Sequence, residues 1–106
     1  MNRMTSSFWV QAYIKKLNLL GVPAFVVSHG DDTAGAIIVK VNKLNGDAVL
    51  FERSFSLDKI LNQWSKFESG DEKRLDEFLS RQLSRDRDLW IVEIESREGD
   101  SFLDDI

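Results

Sequence analysis

Between Gly35 and Phe55 the residues spell out a β-hairpin whose register can be solved from pattern alone. Ile37, Val39 and Val41 alternate with Ile38 and Lys40, Leu44-Asn45-Gly46 interrupts, and Val49, Phe51 and Arg53 then alternate with Leu50 and Glu52. A two-residue loop would set Ile37, Val39 and Val41 beside Ser54, Glu52 and Leu50. A three-residue loop, with Gly46 in the left-handed bulge position, sets them beside Arg53, Phe51 and Val49. Only the second gathers one apolar face, and a slip of one residue would turn every side chain over. The three-residue loop is therefore expected, with strands over about Gly35–Asn42 and Ala48–Phe55. It leaves Lys40 and Glu52 as diagonal neighbours on an outer face.

The flanking segments add further elements. Trp9, Tyr13, Leu17 and Leu20 recur at helical spacing, Ser6 or Ser7 can cap, and Gly21 and Pro23 end the pattern, which predicts a helix over Ser7–Leu20. Ala24–Ser28 reads as a short buried strand. His29-Gly30-Asp31-Asp32-Thr33 reads as a tight hairpin connection to the next strand. Ser56–Phe67 is open between helix and strand, with Leu57, Ile60, Leu61 and Trp64 favouring helix. Ser69 and Glu72 have capping-box spacing before the stripe Leu75, Phe78, Leu79 and Leu83, so a helix is expected to end near Arg85. Leu89–Glu95 alternates, with Trp90, Val92 and Ile94 inward and Ile91, Glu93 and Glu95 outward. The expected fold is α+β: an antiparallel-rich sheet of four or five strands, with two helices (three if Ser56–Phe67 is helical) packed on one face. The order is α-β-β-β-(α or β)-α-β, in a single domain over residues 1–106.

Composition narrows the function classes. Apolar residues make up 42% and charged residues 30% of 106, enough apolar matter to offset the ordering entropy of a globular chain. With no cysteine, disulfides, thiol catalysis and cysteine-held zinc are excluded. After Arg3 the apolar stretch is soon broken by Gln11, Lys15 and Lys16, unlike a signal peptide or a membrane span, so a cytoplasmic protein without a membrane partner is expected. A net charge of −4 argues against nucleic acid, whose binding needs a basic field.

Several residues invite a chemical reading. Gly30-Asp31-Asp32-Thr33-Ala34-Gly35 is bracketed by glycines, but Ala36-Ile37 stands where a phosphate loop needs lysine and a hydroxyl, and two aspartates would repel phosphate. His29, Asp31 and Asp32 could open a metal site, yet His29 is the only histidine and a zinc centre needs about three protein ligands. No metal or other cofactor is expected. In the chosen register Arg53 faces the core near the Asp31-Asp32 loop, and a charge there needs a partner. It either pairs with Asp31, Asp32 or another carboxylate and pins the loop or, together with His29, Asp31 and Asp32, holds an anionic ligand. No serine stands in a nucleophile-elbow pattern, and no convincing catalytic set emerges. Lys73, Arg74, Arg81, Arg85 and Arg87 concentrate basic charge, but interleaved acids cancel it. Trp9 and Trp90 read as core, and Trp64 as a candidate anchor for a protein partner.

His29–Ala36, the run Leu50-Phe51-Glu52-Arg53-Ser54-Phe55, the run Arg85–Glu93 and the N-terminal Phe8-Trp9-Val10-Gln11-Ala12-Tyr13 together resemble a family of small alphaproteobacterial proteins known only as a domain of unknown function. The resemblance spans most of the chain and implies a bacterial cytoplasmic protein. It carries no activity, cofactor or catalytic residue with it. Arg87 departs from the proline that the family pattern leads one to expect, which should loosen the turn before the last strand. The leading expectation is a non-enzymatic protein-interaction or accessory module, working by strand addition or by docking around Trp64, with homo-oligomerisation open. The alternative is a small ligand-binding protein or enzyme acting on an anionic small molecule.

Overall fold

The computed structural model describes residues 4–54 and 63–103. Helix α1 spans Ser6–Leu19, and its cap is Thr5 rather than Ser6 or Ser7: the Thr5 hydroxyl accepts the Phe8 N–H. Ser6 is instead used for packing. Its buried hydroxyl donates to the Gly35 carbonyl at 2.6 Å and ties the helix to a loop 29 residues away. Trp9, Val10, Tyr13 and Leu17 form the buried stripe, whereas Leu20 lies beyond the helix and is exposed.

Strands β1 (Ala24–Ser28), β2 (Ile37–Asn42), β3 (Asp47–Ser54), β4 (Gln63–Asp71) and β5 (Trp90–Glu95), with helix α2 (Glu72–Arg85) between the last two, complete the order α-β-β-β-β-α-β. This is the expected α+β class with two helices. The hairpin register is also as expected: Val39 stands opposite Phe51 and Val41 opposite Val49, with Gly46 at φ 92°. Gln63–Phe67 proves to be strand, against the helix favoured from its spacing, because it pairs along β3. The remainder of Ser56–Phe67, up to Asn62, lies outside the described residues. The expected Ser69 cap is likewise displaced. Pairing with β3 carries β4 on to Asp71, which caps α2 by accepting the Arg74 N–H.

The sheet runs β1-β5-β2-β3-β4. β5 lies antiparallel to β1 and parallel to β2, so β1 and β2 are not a hairpin. The loop between them arches over the start of β5 and closes on the Asp88 carbonyl, which accepts the Asp31 N–H at 3.0 Å. A Cβ on either Gly30 or Gly35 would fall 2.2 Å from that carbonyl oxygen. The two glycines are therefore space-makers for the arch, neither a phosphate cradle nor a tight turn. The turn before β5, which contains Arg87, is closed by the Asp86 carboxylate, which accepts the Asp88 N–H at 2.9 Å.

A parallel pair at the centre of a sheet needs cover on both faces, and that overturns the expectation of helices on one face. α1 packs over Val39, Val41, Val92 and Ile94. α2 packs on the opposite face, where Leu75 and Leu79 meet Ile38, Leu50 and Ile91. Ile91 is thus buried rather than outward. So is Lys40, which ion-pairs with Glu72 at 2.8 Å, Asp76 at 2.7 Å and Glu93 at 3.2 Å, and not with Glu52. Near the C-terminus, Leu103 is buried and the Ser101 carbonyl accepts the Tyr13 hydroxyl at 2.7 Å, which holds the segment against α1. Among the described residues no helix is long and apolar enough to cross a membrane.

Candidate functional site

The open edge at β1 is the least protected surface of the sheet. Ala24-Phe25-Val26-Val27-Ser28 was expected to be buried, but among the described residues it has a strand neighbour on one side only, and Phe25, Val26 and Val27 are 44%, 41% and 54% exposed. An edge strand presents unpaired N–H and C=O groups, and proteins usually blunt such edges with charge or irregularity. The other edge, β4, is blunted in this way by Lys66, Glu68 and a bulge opposite Leu50 and Phe51. β1 has a bulge between Val26 and Ser28 but no charged side chain.

Beside β1, on the α1 face, lies a groove of about 560 Å³. Val10, Ile14, Val26 and Trp90 make it apolar, and Lys15 and His29 stand at its rim. The His29 ring packs tilted against Trp90 at 4.1 Å, and its Nε2 lies 2.9 Å from Asp32 Oδ1. Trp90 is fixed in turn, its indole N–H donating to the Asp31 carbonyl at 2.7 Å.

The four residues singled out for an anionic ligand do not converge. The Asp31 carboxylate accepts the N–H groups of Thr33 and Ala34 and is occupied with its own turn. His29 and Asp32 pair with each other at the end of the groove. Arg53 lines a separate cleft of about 490 Å³ together with Gly35, Glu52, Gln82 and Asp86. Among the described residues no side-chain hydrogen bond or ion pair reaches the Arg53 guanidinium, so it does not pair with Asp31 or Asp32. Its guanidinium rests over the rings of Trp9 and Trp64, 5.6 and 5.5 Å from their centroids, and burial lowers its pKa. Trp64 is half-buried and stacks on Trp9 at 4.9 Å, so the ring proposed as a partner anchor is engaged within the fold.

The polar cluster that periodicity missed is the one around Lys40. Burial alone would lower its pKa, but the hydrogen bonds that its ammonium donates to Asp76 and Glu72 and the charge of Glu93 outweigh that and raise it. Asn42 Nδ2 bridges Glu72 and Glu93 at 3.0 and 3.3 Å. A lysine at an apolar position of a central strand is the only sequence signal of it. Among the described residues no group of three or more histidine or acidic side chains is arranged to hold a metal ion.

The family profile "Protein of unknown function (DUF1491)" matches residues 4–104, and the chain belongs to that family. The chain is similar to a DUF1491 family protein from Caulobacter crescentus known from a crystal structure, at 36% identity over 96% of each chain and a TM-score of 0.85. An NMR structure of a DUF1491 family protein from the same organism matches at 36% identity over 97% of this chain and 96% of that one, with a TM-score of 0.80. The solution structure of an A. tumefaciens protein matches at 26% identity, covering 90% and 87% of the two chains, with a TM-score of 0.74. No curated protein matches the chain. The alphaproteobacterial resemblance is thus borne out.

Proposed function

We propose that this DUF1491 family member is a non-enzymatic, cytoplasmic interaction or accessory module that receives an extended segment of a partner protein along β1. The observation that carries the reading is an uncharged, apolar edge strand whose outer rim has no strand neighbour among the described residues, on a sheet whose other edge carries charged side chains. Strand addition takes affinity from main-chain hydrogen bonds and specificity from side-chain pockets. Docking around Trp64 has less support, because that ring is stacked in the fold. The anionic-ligand reading is also weaker, since Glu52 and Asp86 line the same cleft as Arg53.

The test uses the geometry of the edge. Glu95 donates its N–H to the Pro23 carbonyl, so Phe25 in the same phase faces β5, while Ala24 and Val26 direct their main-chain groups outward. Proline is tolerated on an edge when the N–H it removes faces solvent. Val26→Pro should keep β1 on the sheet and lose a stoichiometric partner that the unaltered chain retains in a low-salt pull-down. A partner kept equally by Val26→Pro sinks the β1 site, and no partner on either chain sinks the module.

A further inference from the structure

Given strand addition at β1, the groove beside it specifies what can add. A residue directly opposite Val26 projects to the same face as Val26, which is the face that carries α1 and the groove. Its side chain enters between Val10 and Ile14 on one side and Val26 on the other. That place, between three aliphatic side chains, suits an aliphatic side chain.

The rim supplies the second requirement. α1 runs antiparallel to β1: the Ser7 N–H is bonded to the Asp32 carbonyl beyond the far end of β1, and the Val22 N–H to the Leu17 carbonyl just before its start. Lys15 therefore stands towards the Ala24 end of the groove and His29 at the other. His29 is engaged by Asp32 and Trp90. Lys15 is exposed, and no ion pair reaches it among the described residues. It is the cation of the groove left for a partner, on the side of Ala24, which lies two residues from Val26 on the same face.

We infer that the groove between α1 and β1 selects an extended peptide segment of a partner protein that carries an aliphatic residue opposite Val26 and an acidic residue two positions away, beside Lys15. Charge complementarity sets this partner apart from β1 of a second copy of the chain, because Ala24-Phe25-Val26-Val27-Ser28 carries no carboxylate to bring to Lys15.

A displayed library of random octapeptides, panned against the full chain and against Lys15→Glu and Val26→Pro, tests this. The expected result is enrichment of peptides with an aliphatic and an acidic residue two apart. Lys15→Glu should exchange the acidic preference for a basic one while keeping the aliphatic residue, and should bind an enriched acidic peptide about tenfold more weakly, as loss of a rim charge contact would. Peptides without the acidic residue, or the same motif selected by Lys15→Glu, overturn the inference while strand addition stands, provided that Val26→Pro loses the peptides. No enrichment, or undiminished binding to Val26→Pro, overturns strand addition and the inference with it.

Discussion

Lys40 and Arg53 sit on the two strands of one hairpin and illustrate two ways of keeping a cation inside a fold. Lys40 is 3% exposed and surrounded by Glu72, Asp76 and Glu93. Removing one partner of a buried ionic cluster leaves the rest uncompensated, at a cost of about 3–5 kcal/mol. Lys40→Ala should lose that much in urea denaturation. Arg53 has no such network among the described residues, and its contacts over Trp9 and Trp64 contribute about 0.5–1 kcal/mol each. Arg53→Ala should accordingly cost only about 1–2 kcal/mol. Equal losses for the two substitutions would contradict the contrast. Neither environment was legible locally: Lys40 looked like an outer-face residue and Arg53 like half of an ion pair, because their partners come from elements far along the chain.

Among the elements, the arch from His29 to Ala36 shows most plainly what a pattern can mislead about. Its glycines and aspartates have the composition of a turn, and they do make local turns, with Asp31 accepting from Thr33 and Ala34. Their placement, however, answers to β5. Gly30 and Gly35 both clear the Asp88 carbonyl, which is backbone and cannot swing aside. Gly35→Ala should therefore destabilise by roughly 1–3 kcal/mol, the usual cost of overpacking. An unchanged thermal midpoint for Gly35→Ala would show that the arch can relax away from β5. Helix α2 and the β2–β3 hairpin were legible because each is specified by neighbours at most a few turns or one short loop away.

For the whole molecule, two buried groups make alkaline pH the direction of weakness. Burial, then the charge of Asp100, raises the pKa of the Tyr13 phenol, and the carboxylates raise that of Lys40. In both cases the folded state holds a proton that the unfolded state releases above about pH 10. Stability is therefore full below that pH and falls as pH rises, by up to about 1.4 kcal/mol per pH unit for each group. Urea midpoints measured at pH 8, 10 and 11 should be level at first and then drop, and a level series throughout would contradict both shifts. The sequence by itself determined the N-terminal helix to within a residue at each end, the hairpin with its three-residue loop and the end of α2 near Arg85, because these rest on local periodicity and turn chemistry. Only the tertiary structure decided that β5 inserts between β1 and β2, that the helices cover opposite faces, and that β1 is left as an open edge. An apolar strand reads the same whether it has one neighbour or two, and pairing across more than sixty residues leaves no local trace.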